Sequence, residues 1–114
     1  MKDALFLLKS NFHDPALPKQ VFFCWHCALL EGVISYYPEL ERHLLVQRID
    51  WPRPRQPLID LLGEAHQSLP VLVIGDGRRS PRATGTAQGR DFIADKDGIL
   101  RELEAHYGIG AQHP

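Results

Sequence analysis

Two continuous apolar runs constrain this chain more than any other feature. Asp3 to Lys9 (Asp-Ala-Leu-Phe-Leu-Leu-Lys) ends at turn-forming residues, and Val71 to Ile74 (Val-Leu-Val-Ile) lies between Ser68-Leu69-Pro70 and Gly75-Asp76-Gly77. Short apolar runs without polar alternation suit strands buried on both faces, and such a sheet needs helices on each side. The rest of the pattern supplies them. After Cys27, residues Leu29, Leu30, Val33, Ile34 and Tyr37 recur at helical spacing until Pro38, which predicts a helix of about three turns. Pro57 is a good first helical residue, and Leu58, Ile59, Leu61, Leu62 and Ala65 form a second apolar stripe. Ile99, Leu100, Leu103 and Tyr107 mark a last helix that Gly108 ends.

Two weaker strands complete the set. His43 to Trp51 alternates loosely and is broken by Pro52, and Phe92-Ile93-Ala94 reads as a short edge strand. Ser10 to Gln20 is a loop, Trp51 to Pro57 a stiff proline-rich connection, and Arg78 to Gly89 a polar, basic, flexible stretch. The expected architecture is α/β, a central mixed sheet of about four strands flanked by helices.

Composition sets the scale. The 114 residues, 44% apolar and 24% charged, suit one domain spanning residues 1–114 with a single core. A formal net charge of −1 gives no argument for nucleic acid or an acidic membrane as partner. The apolar opening before Lys9 is too short for a signal-peptide core, and no run approaches a membrane span. The expectation is a soluble, cytoplasmic protein. In a reducing compartment two cysteines three positions apart are not a structural staple, so Cys24 and Cys27 call for a chemical explanation.

The motif "FFCWHCALLEG" opens the first helix with a CxxC, and Ser-Leu-Pro leads into the third strand. This pairing resembles the thioredoxin and glutaredoxin fold over nearly the whole chain. With "DWPRPR" and "QSLPVLV", it more narrowly resembles a small thioredoxin-like family known only as a domain of unknown function. The resemblance implies that Cys24 is the attacking cysteine, Cys27 the resolving one, and Pro70 a cis proline beside the sulfurs. It also implies that backbone at Leu69 holds an extended substrate segment by strand-like pairing. The implied activity is thiol–disulfide exchange with a protein or small-thiol substrate, with no resident cofactor and with glutathione as a candidate co-substrate.

The chemistry asks for the same arrangement. A thiolate is the attacking species, and a helix N-terminus offers orphan N–H groups and the positive end of the dipole to the Cys24 sulfur. Two intervening residues keep the sulfurs within bonding reach. His26, between them, is a candidate tuner whose cation would favour the thiolate. Trp25 presents a broad apolar surface beside the nucleophile and is a candidate substrate contact. Two departures from the redoxin pattern stand out: 15 residues separate Leu8 from Cys24, and Gly75-Asp76-Gly77 runs into a basic insertion where glutaredoxins carry a glycine pair.

Other readings remain open at this level. The thiols are idle in a binding module that uses Trp25, Trp51 and the basic loop, or they ligate zinc or an iron–sulfur cluster with help from His13, His66 or a second chain. Arg53 and Arg55 suit a carboxylate, although a solvated loop is the simpler account, as it is for Arg78, Arg79, Arg82 and Arg90. Glu31 reads as an exposed helix residue. Acid–base catalysis by Asp14, Asp50 and Asp76 stays open if the three converge in space, although nothing in their spacing requires it.

Overall fold

The computed structural model describes residues 1–114. Five strands and three α-helices follow one another as β1 (Asp3–Leu8), α1 (Trp25–Tyr36), β2 (Leu44–Ile49), α2 (Gln56–Leu62), β3 (Val71–Val73), β4 (Gly85–Ala87), β5 (Arg90–Ile93) and α3 (Lys96–Tyr107). The sheet order is β2-β1-β3-β5-β4. β1 runs parallel to β2, with Leu5 opposite Val46, and antiparallel to β3, with Leu5 opposite Leu72. The β3–β5 and β5–β4 pairs are antiparallel.

The period of two along β1 divides the core. Leu5 and Leu7 join Cys27, Leu30, Ile34, Ile99 and Leu103 on the face covered by α1 and α3. Ala4 and Phe6 turn to the other face, where Leu58 and Leu62 of α2 pack with Val71, Val73 and Phe92. Burial on both faces explains why β1 and β3 are apolar without alternation. No helix is long and apolar enough to cross a membrane.

Four expectations change. The sheet has five strands rather than about four, because β4 forms inside the stretch read as flexible. Gln88 and Gly89, at φ of 50° and 75°, make a tight turn that folds β4 back onto β5. As a result β5 is interior, between β3 and β4, and the edge falls to β4. The second helix stops at Leu62, short of Ala65, and Pro38 starts a 3-10 turn over Pro38–Arg42 rather than only ending α1. Gly108, in the left-handed region at φ of 76°, closes α3 as expected.

The basic stretch is no solvated loop. Arg78 bridges Asp3 and Glu102, Arg82 reaches Glu102 at 2.8 Å, Arg79 pairs with Asp91 at 2.8 Å, and Arg90 pairs with Asp76. Glu102 has a fully buried side chain and accepts from Ser80 Oγ at 2.5 Å as well. Asp3 also accepts from Tyr107 Oη at 2.5 Å and from the Gly75 N–H at 2.6 Å. Burial alone would raise both carboxyls, but these donors outweigh it and hold Asp3 and Glu102 below their ordinary values.

Candidate functional site

Cys24 is the N-cap of α1. Its backbone is extended (φ −83°, ψ 115°), its carbonyl accepts the first helical bond from Ala28 N–H at 2.9 Å, and its Sγ accepts from the Cys27 N–H at 3.2 Å. A sulfur thus does what a serine or aspartate oxygen does at an ordinary N-cap. Any negative charge on it faces the unpaired N–H end of a helix 12 residues long. Cys27, one turn in, is only 2% exposed and packs in the α1 face of the core. Its Sγ accepts from the Leu8 N–H at 3.4 Å, which ties the end of β1 to the motif. Both cysteines are free thiols.

The two sulfurs occupy different environments. Burial pushes the Cys27 thiol up to about 12; its hydrogen bond with Cys24 and the nearby charges of Cys24 and Glu31 act the same way, against the lowering by the Leu8 N–H. Cys27 is therefore held as a thiol while Cys24 is half-exposed. An asymmetric pair of this kind separates an accessible sulfur from a protected one.

Leu8, Lys9, Phe23, Glu31 and Arg48 line an open cleft of about 710 Å3 around the pair. In sequence Glu31 has the signature of a plain exposed helix residue. Here its two carboxylate oxygens take Arg48 Nε at 3.0 Å and Nη2 at 2.7 Å, and this guanidinium holds Glu31 below the usual carboxylate range. The missing signal is tertiary: Arg48 belongs to β2, 17 residues away. Arg48 thus pairs with the one carboxylate that lines the cysteine cleft.

The other candidates do not line this cleft. Trp25 is 62% exposed, and Phe23, which lines the cleft two residues earlier, is 64% exposed, so the two form an apolar rim. The His26 ring meets the Trp25 ring edge-on at 3.9 Å between centroids, and it makes no hydrogen bond to either sulfur. Lys96 of α3 sits 5.3 Å above the Trp25 ring. Pro70 is buried immediately before β3, and the Leu69–Pro70 peptide is cis, as the resemblance implied; Arg53–Pro54 is cis as well. Leu69 packs against the α2-side core, and neither Leu69 nor Pro70 lines the cysteine cleft.

The long loop before α1 is anchored. Phe12 and Phe22 pair backbone to backbone at 3.0 and 2.9 Å, and the Phe12 ring stacks on Trp51 at 5.7 Å. Trp51 is thereby taken up in packing. Asp14, Asp50 and Asp76 bind separate partners, the Ala16 N–H, Lys9 and the chain's amino terminus, so they do not converge. No group of three or more His, Cys, Asp or Glu side chains comes together in a way that holds a metal, and His66 lies against Phe92.

Fold and site together define a small mixed α/β domain whose CxxC caps the first helix, with one sulfur accessible and one buried. The chain belongs to a family described as "protein of unknown function (DUF3088)", whose model matches residues 2–111. No curated protein and no solved structure matches it.

Proposed function

We propose that this is a thioredoxin-like thiol–disulfide oxidoreductase of the cytoplasm, cycling Cys24 and Cys27 between dithiol and disulfide. The observation that carries the reading is the asymmetry of the pair: Cys24 Sγ receives a helix N-terminal N–H at 3.2 Å while Cys27, 2% exposed, is kept protonated by burial. Cys24 thiolate attacks one sulfur of a substrate disulfide. A Cys24–substrate bond forms, the substrate S–S bond breaks, and the other substrate sulfur leaves as a thiolate with the electron pair. Cys27 then gives its proton to the departed substrate thiolate and attacks Cys24, expelling the second substrate thiolate and leaving the protein disulfide. The substrate is reduced by two electrons and the dithiol is oxidised by two. Glutathione or a protein dithiol restores the starting state.

A second reading keeps the thiols idle and uses the exposed Phe23 and Trp25 rim to hold a partner protein. A titration with reduced and oxidised dithiothreitol, followed by tryptophan fluorescence, separates the two. A reversible two-electron transition with a defined potential supports exchange, because Trp25 lies between the sulfurs in sequence. Thiols that never form a disulfide under oxidising dithiothreitol sink the first reading and favour the second.

A further inference from the structure

A second cleft, of about 490 Å3, opens beside the cysteine cleft and shares Lys9 and Arg48 with it as a common wall. Lys9, Arg48, Arg53 and Arg55 face it against the single carboxylate of Asp50, in a chain whose formal net charge is −1. Two of the four cations are already neutralised. Lys9 Nζ lies 3.2 Å from Asp50, and Arg48 is engaged with Glu31.

The other two are not. Arg55 is 6% exposed. Its Nε and Nη2 donate to the Trp51 carbonyl at 3.0 and 2.6 Å, and its Nη1 donates to the Gln67 carbonyl at 2.7 Å. Those acceptors are neutral. They satisfy the N–H groups and hold the guanidinium rigid, but they leave its charge uncancelled, and no carboxylate pairs with it. A buried charge is normally paired, because its desolvation is costly. Arg53 beside it is exposed and has no partner among the ion pairs and side-chain hydrogen bonds. The result is a fixed, uncancelled positive charge on a buried residue of the cleft lining, beside an exposed guanidinium without a partner.

We propose that this cleft is an oxyanion site, taking the carboxylate or phosphate group of a small molecule, with Arg53 as the direct ligand and Arg55 as the fixed charge behind it. The shared Lys9–Arg48 wall joins it to the cysteine cleft, so one ligand spans both: its anionic group beside Arg53, its sulfur towards Cys24. This last link rests on the exchange reading, whereas the anion site does not. The preferred substrate is then a small anionic disulfide. Its bond to Cys24 forms as its own S–S bond breaks, and the departing half carries away the electron pair as a thiolate.

The anion site is tested in the Cys24→Ser protein, by following the Nε–H resonances of Arg53 and Arg55 during separate titrations with inorganic phosphate and succinate at constant ionic strength. Saturable shifts are expected with at least one of them, weakened about tenfold by Arg53→Ala. Saturation by succinate alone identifies a carboxylate ligand, and by phosphate alone a phosphate ligand. Shifts no larger than those from matched sodium chloride, or equal affinity in Arg53→Ala, overturn the site. In the wild-type protein, the rates of thiol exchange with dianionic 3,3′-dithiodipropionate and neutral 2-hydroxyethyl disulfide, whose departing alkyl thiols are of similar basicity, are compared. Their ratio is expected to favour the anion and to fall about tenfold in Arg53→Ala. Saturable anion binding without exchange with either disulfide keeps the site and removes the exchange reading. Exchange without charge preference or anion binding does the reverse.

Discussion

The Cys27 N–H donates to Cys24 Sγ across 3.2 Å, so the second cysteine of the motif solvates the first through its backbone while its own sulfur is buried in the core. The two residues are therefore not interchangeable. Cys24→Ser is expected to abolish disulfide reduction. Cys27→Ser is expected to keep the first attack and accumulate a covalent adduct with substrate, visible by non-reducing electrophoresis or intact mass. Full reductase activity in both variants would show that the sulfurs do not divide the reaction in this way.

The buried thiol sets a pH dependence. Burial raises Cys27 to about 12, above the unfolded value near 8.5. The folded form therefore keeps its proton longer than the unfolded chain. Stability from this group is complete below about 8.5 and is lost as pH rises towards the folded value. In Cys24→Ser, which removes the contribution of Cys24 but keeps the burial, Cys27 is expected to react with iodoacetamide at neutral pH more slowly than an unfolded control, since only the thiolate reacts. Denaturing the variant should restore the ordinary rate. Equal rates before and after denaturation would contradict the burial.

Acid acts through a different cluster. Asp3 and Glu102 titrate below their ordinary values in the folded protein, because donors from Arg78, Arg82, Ser80 and Tyr107 outweigh their burial. The unfolded chain binds protons first as pH falls, so their contribution is full above the ordinary carboxylate range, near about 4, and disappears below it. Glu102→Gln is expected to lower stability at pH 7 by about 3 kcal/mol, since it leaves Arg78 and Arg82 without their shared buried partner. The variant should also lose part of the stability difference between pH 7 and pH 3. Urea unfolding at both pH values measures the two effects, and parallel losses at both would remove Glu102 from the acid transition.

The apolar rim is expected to matter for recognition and little for folding. Trp25 is 62% exposed, so Trp25→Ala should change stability by less than about 1 kcal/mol. Under the exchange reading, the same change should weaken turnover of a protein disulfide more than that of a small disulfide, because only the larger substrate spans the rim. Equal losses with both would assign Trp25 to the chemistry at Cys24 instead.

Much of the frame was legible in the residues. The apolar runs of β1 and β3, the helical stripe after Cys27 and Gly108 at the end of α3 each carry a local signal that tertiary contacts reinforce. The β4–β5 hairpin was harder. In Gly85-Thr86-Ala87 only Thr86 favours a strand, and beyond it only the Gln88–Gly89 turn hints at the hairpin. It forms because β5 offers a ladder and because Arg79 and Thr86 meet Asp91.

By itself the sequence determined the order of the elements apart from β4, and the location of the CxxC at a helix start, because periodicity, turn residues and capping act over a few neighbouring positions. Only the tertiary structure decided which charges are spent and which are free. Arg78, Arg79, Arg82 and Arg90 look in sequence like an open basic loop, yet all four are paired, whereas Arg55 is buried beside carbonyls alone. Glu31 looks like ordinary helix surface and stands with Arg48 in the wall of the cysteine cleft. Electrostatic partners are set by distance in space, and in this fold those distances join residues from separate strands, helices and loops.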